Sequence, residues 1–350
     1  IVFVNPSPAT LEGYRDKQVL LRTRRKQVMS EVALPDELVD GATYKLLANI
    51  GGAEDMEDAR TYVAHGVGLY RTENLFLRLD AWPSEEEQFN EYSDVVRQAR
   101  GQLITFRTLD LGGDKKLGDL TDEANPFMGY RAIRLCLDRP EIFASQLRAI
   151  LRASVYGPVA VMFPMISGVE ELRRAKEFFQ TIAVQMASEG VVPKVPIRLG
   201  AMIEIPAAAV VIDEIVSEVD FISVGTNDLV QYLLAVDRGN QRIATWYEPA
   251  NPAVVRTLER IFKAASQKGV SAAVCGELAG DPLWAPLLIG LGAKELSMSS
   301  PAIPEVRFIL RHSSNQELKS LATSVLAQSD SHKIKNLLSE FAASKAKYRP

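Results

Sequence analysis

The sequence predicts an α/β protein folded as a (β/α)8 TIM-type barrel with an extra N-terminal helix and a C-terminal helical tail. Short runs rich in β-branched residues alternate with amphipathic segments through most of the 350 residues, which is typical of parallel βα units. The runs number eight, and no dinucleotide-binding fingerprint marks the switch point that an open doubly wound sheet would need. A closed barrel is therefore favoured over an open sheet.

The eight predicted strands are separated by segments with helical periodicity. The strands cover 43–50, 66–72, 102–110, 158–166, 197–205, 219–228, 270–277 and 295–299. The helical segments include EDMEDARTYVAH, VEELRRAKEFFQTIAVQMA and NPAVVRTLERIFKAASQ. The crossover over 111–157 is longer than a minimal barrel requires.

Three regions are predicted along the chain: an N-terminal linker helix over 1–35, the barrel over 36–312 and a helical tail over 313–350. The linker contains a charged helix over about 9–32 that ends near Pro35. Because the chain begins with Ile1 rather than methionine, we expect it to be part of a longer protein.

Composition excludes several classes of protein. No apolar run reaches the roughly 18 residues of a membrane span, which predicts a cytoplasmic protein without membrane insertion. Two cysteines, Cys136 and Cys275, three histidines and no CxxC pair argue against a disulfide framework or a structural zinc site. A net charge of −4 without a basic tail argues against nucleic-acid binding.

Polar and charged residues collect where five of the predicted strands end. They are Arg71 and Glu73, Arg107 and Asp110, Glu204, Asn227 and Asp228, and Cys275 and Glu277. In a TIM barrel these strand ends meet at one rim, so we expect the side chains to share a site. Taken singly, an arginine here is more often an ion-paired rim residue, and a cysteine is as often a small core residue.

Glu204 interrupts the apolar run GAMIEIPAAAVV, and a buried carboxylate requires a pairing partner or a metal ion. With Asp228 from the next strand it offers two oxygen ligands that suit Mg²⁺, although a structural ion pair with an arginine is the alternative. Lys115, Arg131 and Arg238 follow in neighbouring loops. Such a set suits a small, multiply anionic phosphate ester bound with a divalent cation.

Seven motifs together resemble enzyme I of the bacterial phosphoenolpyruvate-dependent phosphotransferase system. They are GVGLYRTENLF, FRTLDLGGDK, NPFMGYRAIR, MIEIPAA, FISVGTNDLVQY, LAVDRGN and VCGELAGD. They occur in the order found in that family and extend over residues 20–310, approximately. The chain is similar to the C-terminal half of enzyme I, which binds phosphoenolpyruvate (PEP) and dimerises.

The resemblance implies a phosphotransferase and a role for each matching residue. Mg²⁺ would lie on Glu204 and Asp228, and Cys275 would be the acid that protonates the methylene carbon of enolpyruvate. The phosphate and carboxylate of PEP would be held by Arg71, Arg107, Lys115, Arg131, Asn227 and Arg238. Glu73, Asp110 and Glu277 would orient these groups.

The resemblance also implies partners outside this chain. In the family the phosphoryl acceptor is a histidine in a TSH context on an N-terminal domain, which passes the group to the carrier HPr, and this sequence has no such motif. A homodimer formed through the barrel is implied as well. Asn74 departs from the family, which usually has a bulky apolar residue there.

Two alternative interpretations are a fragment of pyruvate phosphate dikinase or PEP synthase, and a non-catalytic dimer that senses PEP. The sequence is compatible with both the sugar-transport branch and the nitrogen-related branch of the phosphotransferase system.

Overall fold

In the computed structural model, which describes residues 3–112, 117 and 123–346, eight parallel strands form a closed barrel. The strands are β1 (Lys45–Ile50), β2 (Val67–Arg71), β3 (Ile104–Arg107), β4 (Val159–Phe163), β5 (Arg198–Ile203), β6 (Phe221–Val224), β7 (Ser271–Val274) and β8 (Glu295–Ser299). Each strand pairs with the next, and β8 closes the barrel by pairing with β1, Lys45 lying opposite Glu295. The predicted (β/α)8 fold is confirmed.

The described residues also form fifteen α-helices. They are α1 (Pro8–Ser30), α2 (Met56–Thr61), α3 (Glu73–Leu79), α4 (Glu85–Gln98), α5 (Ile133–Asp138), α6 (Pro140–Ala153), α7 (Val169–Ser188), α8 (Pro206–Val210), α9 (Ile212–Val216), α10 (Thr226–Leu234), α11 (Pro252–Gln267), α12 (Ala285–Leu291), α13 (Ile303–Arg311), α14 (Asn315–Leu326) and α15 (Ser331–Ala346). Across these described stretches no helix combines the length and apolarity needed to span a bilayer.

Local sequence accounts for several helix starts. Ser84 and Glu87 form a capping box at the start of α4, and Ser314 and Glu317 form another at the start of α14. The N-terminal helix matches its predicted position, and α14 occupies the predicted tail, where it packs against α12.

Six predicted strands extend past their observed C-terminal ends, and the two that matter most for the site are those of β6 and β7. The strand expected over 219–228 ends at Val224, and the one expected over 270–277 ends at Val274. Gly225 and Gly276 follow these ends in close contact with neighbours: a Cβ at Gly225 would lie 2.5 Å from Glu204 Oε2, and one at Gly276 would lie 1.9 Å from Thr226 Oγ1. The chain therefore turns at both glycines, into α10 and into a 3₁₀ helix over Glu277–Gly280.

The barrel interior is filled by a small apolar cluster distinct from the larger core between strands and helices. It consists of Leu69, Ala160, Met162, Met202, Phe221 and Cys275. These side chains close the barrel beneath the charged residues at the strand ends, so the interior is a packed core and not a pore.

A buried arginine fastens the amino-terminal end of the barrel. Arg307, which is 1% exposed, donates 2.6 Å and 3.4 Å hydrogen bonds to the carboxylate of Asp36. It also donates to the carbonyls of Val32, Tyr62 and Val63 at 2.8–3.0 Å. One guanidinium thus joins the segment after α1, the segment after α2, and α13.

Replacing Arg307 with methionine should lower the free energy of unfolding by about 3–5 kcal/mol, because it removes the buried cation paired with Asp36, which keeps only the His65 contact, and leaves three carbonyls without their donor. Urea unfolding followed by circular dichroism measures the change. The matched control is Arg174→Met, at an exposed arginine of α7. Equal effects of the two substitutions would contradict a role for Arg307 in fastening the barrel.

Candidate active site

The carboxyl ends of the strands surround a cavity of about 340 Å³. It is lined by Leu69, Arg71, Arg107, Asp110, Arg131, Met202, Glu204, Gly225, Asn227, Asp228, Arg238, Cys275, Gly276 and Glu277. The structure thus brings together all the predicted site residues except Lys115, which lies outside the described residues. This end of a TIM barrel is where catalytic residues lie.

Arg107, the last residue of β3, lies deep in the cavity and is 7% exposed. Its guanidinium bonds to Glu73 at the start of α3 and lies 2.9 Å from Asp110 Oδ2. Burial alone would lower the pKa of Arg107, but Glu73, Asp110 and Glu204 raise it above its ordinary value. Arg107 is therefore a fixed positive charge. Arg71 lies opposite it in the β2–β3 register and is exposed at the mouth.

Arg131 precedes α5 and reaches the same cavity from the long third crossover. Its Nη2 lies 2.8 Å from Asp110 Oδ1 and 3.4 Å from Asp228 Oδ2, and its Nη1 donates to the hydroxyl of Tyr232 at 3.2 Å. The two oxygens of Asp110 therefore hold two different arginines. Asp110 and Asp228 raise the pKa of Arg131 against the opposing effect of burial.

Glu204 and Asp228 provide the oxygen donors expected for a divalent cation. Glu204 is 2% exposed, and its Oε1 accepts a 2.7 Å hydrogen bond from the backbone N–H of Met165. Burial, with the charges of Asp228 and Asp110, raises the pKa of Glu204 to about 8. Asp228 Oδ1 is buried, accepts no hydrogen bond from any described residue, and lies 3.5 Å from Nη2 of Arg238.

This arrangement fits Mg²⁺. Two crowded carboxylates and an unsatisfied oxygen are stabilised by a cation, and Mg²⁺ is often held by one or two carboxylates plus waters and substrate phosphate. No set of three or more His, Cys, Asp or Glu side chains in the described ranges is arranged to hold a metal. Within the described ranges, a cation here would rest on Glu204 and Asp228.

Asn227 and Glu277 connect the ends of β6 and β7. Asn227 Nδ2 donates to Glu277 Oε1 at 3.1 Å, while its Oδ1 accepts from the backbone N–H of Glu277 at 2.9 Å. The amide is thereby held in one orientation. Asn227 and Asp228 occupy the first turn of α10 rather than the strand in which the sequence analysis placed them.

Cys275 follows β7 and is 3% exposed, with Sγ 3.7 Å from the carbonyl oxygen of Val224. Burial raises the pKa of its thiol to about 11, and Glu204 acts in the same direction, while Arg107 and Arg71 oppose it. The sulfur therefore carries its proton at neutral pH and lines the same cavity as the arginines and carboxylates. This is the protonation state that a general acid requires.

Comparison with known proteins agrees with this geometry. Residues 25–315 match the family model described as "PEP-utilising enzyme, PEP-binding domain". The chain belongs to this family of PEP-utilising enzymes. The match includes the whole barrel and every predicted site residue.

Curated relatives of this chain are named phosphoenolpyruvate-protein phosphotransferase. The Staphylococcus carnosus protein is 41% identical over 97% of this chain and 60% of its own length. The Haemophilus influenzae protein is 42% identical over 97% of this chain and 60% of its own length. The Geobacillus stearothermophilus protein is 43% identical over 93% of this chain and 57% of its own length. The chain thus spans about 60% of the length of the curated relatives it matches.

Three residues in or beside the cavity are missing from the sequence predictions. Leu69 and Met202 line its apolar floor, and Tyr232 bonds to Arg131. Tyr232 lies four residues after Asp228 on α10, so the two share a helix face, a spacing that could have indicated it. Leu69 and Met202 carry no such signal, because both are ordinary apolar strand residues.

The alkylation rate of Cys275 should rise about tenfold per pH unit between pH 7 and 10, because the thiolate fraction does so below a pKa of about 11. Mass spectrometry after timed iodoacetamide treatment measures the rate. Cys136, which is completely buried in α5 and has a raised pKa, is the internal control and should stay unmodified in the folded protein. A Cys275 rate that levels off below pH 9 would contradict the assignment.

Without Mg²⁺, the folded protein keeps a proton on Glu204 that the unfolded chain releases near the ordinary pKa of 4.5. Glu204 therefore stabilises the fold at low pH, and this contribution is lost as pH rises from about 5 to 8. The difference in free energy of unfolding between the parent and Glu204→Gln should fall across that window. Urea unfolding in EDTA at several pH values measures it, with the exposed Glu214→Gln as control.

If the difference in free energy of unfolding between the parent and Glu204→Gln does not change with pH, Glu204 is ionised in the folded protein across the whole window from about pH 5 to 8, and the prediction is wrong.

Proposed function

We propose that this chain is the PEP- and Mg²⁺-binding part of a PEP-protein phosphotransferase. The observation that supports it best is the single cavity in which the arginines, the Glu204–Asp228 pair and the Cys275 thiol meet. The curated relatives carry that activity in their name, and this chain corresponds to about 60% of their length.

The arginines divide into two pairs with different tasks. Arg107 and Arg131 are buried and fixed by carboxylates, so they form a rigid positive wall. Arg71 forms no salt bridge within the described part of the chain, and the side chain of Arg238 is 35% exposed. Arg71 and Arg238 are therefore available to bind the phosphate and carboxylate oxygens of PEP in bidentate geometry. Lys115 and Asn227 are proposed to add donors.

Glu204 and Asp228 would hold Mg²⁺, which when bound neutralises both carboxylates and the charge that develops on the phosphoryl oxygens. Glu73, Asp110 and Glu277 keep Arg107, Arg131 and Asn227 in position through the contacts described above. Positioning and charge stabilisation of this kind are the main contributions to phosphoryl transfer.

The proposed reaction breaks the bond between phosphorus and the enol oxygen of PEP. The phosphoryl group passes to an imidazole nitrogen of a histidine outside this sequence, whose proton goes to water, and the bonding electron pair stays on the enol oxygen. The resulting enolate takes a proton at its methylene carbon from the Cys275 thiol and becomes pyruvate. Water then returns a proton to the thiolate.

The partners are proposed on the same basis. The acceptor histidine belongs to an N-terminal domain of the longer protein and passes the phosphoryl group to an HPr-type carrier. The protein would act in the cytoplasm, and the phosphoryl group would serve sugar transport. A homodimer formed through the barrel is proposed from the family resemblance.

Isothermal titration calorimetry tests the binding proposal. PEP should bind the parent chain in the presence of Mg²⁺, and Arg71→Met should weaken binding at least tenfold, since a charged hydrogen bond contributes about 1.5–3 kcal/mol. Glu204→Gln should abolish the dependence on Mg²⁺. The exposed Glu214→Gln is the matched control and should bind as the parent does.

Cys275→Ser separates catalysis from binding. The variant should bind PEP normally, whereas the full-length protein carrying it should form pyruvate much more slowly. Undiminished pyruvate formation by this variant would remove Cys275 as the acid, and a full-length parent protein that binds PEP without forming pyruvate would favour a PEP-sensing role. The absence of any Mg²⁺-dependent PEP binding would refute the proposal.

A further inference from the structure

The backbone carbonyl of Cys275 is held by a side chain from two strands away. Nδ2 of Asn49, on β1, donates a 3.0 Å hydrogen bond to this carbonyl. In the closed barrel β8 lies between β1 and β7, and the pairing of β7 with β8 extends to Val274 opposite Leu296. Cys275 comes one residue after that pair, so Asn49 reaches past β8 to hold the chain where the strand pairing stops.

Ser297 of β8 orients the amide of Asn49. Ser297 is completely buried, and its Oγ donates a 2.6 Å hydrogen bond to Asn49 Oδ1, while the carbonyl oxygen of Ala48 lies farther away at 3.2 Å. Because the carbonyl of Cys275 only accepts hydrogen bonds, the NH₂ group of the amide must face it and the amide oxygen must face Ser297. A Cβ at Gly68 of β2 would lie 2.5 Å from Ser297 Oγ, so this glycine leaves the room that the hydroxyl occupies.

Both backbone polar groups of Cys275 are thus hydrogen-bonded. Its N–H donates to the carbonyl of Val224 at the end of β6 at 3.1 Å, and its carbonyl accepts from Asn49. The peptide between Cys275 and Gly276 is planar, so holding its oxygen also restrains rotation about the Cα–C bond of Cys275. The hydrogen bond from Asn49 therefore helps to set the direction in which the thiol leaves the backbone.

Asn49 acts on the active-site cavity through Cys275. Among the described residues, those that line the active-site cavity do not include Asn49. Asn49 is half-buried and lines a neighbouring cavity of about 480 Å³, which shares Arg71, Gly276 and Glu277 with the first. Its replacement therefore leaves the arginines and the carboxylates of the site in place.

We propose that Asn49, oriented by Ser297, is a positioning residue that holds the Cys275 thiol over the methylene carbon of the enolate. This inference rests on the proposed function, in which Cys275 is the acid. The position matters because a misplacement of about 1 Å can slow an oriented reaction about 100-fold.

The position of the thiol decides which product leaves. With the thiol in place, a C–H bond forms at the methylene carbon as the S–H bond of Cys275 breaks, which gives pyruvate and a thiolate. When the thiol is displaced, the enolate oxygen instead takes a proton from water, and enolpyruvate leaves while a hydroxide ion remains.

The tautomer of the released product tests this role. Full-length protein and PEP are mixed in equal amounts with Mg²⁺, so that a single turnover passes the phosphoryl group to the protein's own histidine. Rapid-injection proton NMR at low buffer concentration separates the vinyl signals of enolpyruvate from the methyl signal of pyruvate before the enol ketonises in solution. Asn49→Leu should raise the ratio of enolpyruvate to pyruvate about tenfold over the parent, which is what one hydrogen bond can contribute. A merely structural defect slows turnover without changing that ratio.

Three further variants keep the result specific. Asn49→Asp, which keeps the size of the side chain and loses the NH₂ donor, should raise the ratio as Asn49→Leu does. Ser297→Ala frees the amide of Asn49 and should raise the ratio less. Asn90→Leu, at an exposed asparagine of α4, is the matched control and should leave the ratio unchanged.

Calorimetry on this chain shows whether the variants keep the substrate site. Both Asn49 variants should bind PEP as the parent does. Variants that bind PEP and release only pyruvate would overturn the inference, and loss of PEP affinity in Asn49→Asp would contradict a role that acts through Cys275.

Cys275→Ser in the same NMR assay separates this inference from the proposed function. The variant should release mostly enolpyruvate. If it releases only pyruvate, Cys275 is not the acid and that part of the proposed function fails. If it releases enolpyruvate while the Asn49 variants release only pyruvate, the proposed function stands and the positioning role of Asn49 fails.

Discussion

The ion pairs of one buried carboxylate hold the active-site cavity together. Asp110 is 1% exposed, and its two oxygens lie 2.9 Å from Arg107 and 2.8 Å from Arg131, which come from β3 and from the distant end of the third crossover. Burying either guanidinium without such a partner would be strongly unfavourable. Asp110 therefore makes it possible for two permanent positive charges to lie inside the barrel in fixed orientations.

Charge is arranged in layers from the barrel interior to the mouth. The buried layer contains four carboxylates and two guanidiniums, those of Glu73, Asp110, Glu204, Asp228, Arg107 and Arg131. Burial, with the charges of Asp228 and Asp110, raises the pKa of Glu204, and the negative excess of this layer suits a cation. The mouth carries the exposed Arg71 and Arg238 and suits an anion. The proposed Mg²⁺ would be held in the buried layer, and the proposed phosphate ester by the arginines at the mouth.

The strand ends, and not the strands themselves, give the cavity its shape. Gly225 and Gly276 let the chain turn directly after β6 and β7, where any side chain would collide with Glu204 or Thr226. The first turn of α10 consequently places Asn227 and Asp228 at the rim, and Tyr232, one turn later, contacts Arg131. One short helix thus contributes a carboxylate, an amide and a side chain that positions an arginine.

The sequence by itself determined the number of strands, their parallel order and the set of residues at their ends, because alternating periodicity and strand-end motifs are local properties of the chain. It placed Arg71, Arg107, Glu204 and Cys275 at one rim for the same reason. Only the tertiary structure decided that Asp110 bridges two arginines, that Asn227 lies in the first turn of a helix, and that Tyr232 contacts Arg131. These features join groups far apart in the sequence, and they depend on strand register and on where each helix begins, which local periodicity does not specify.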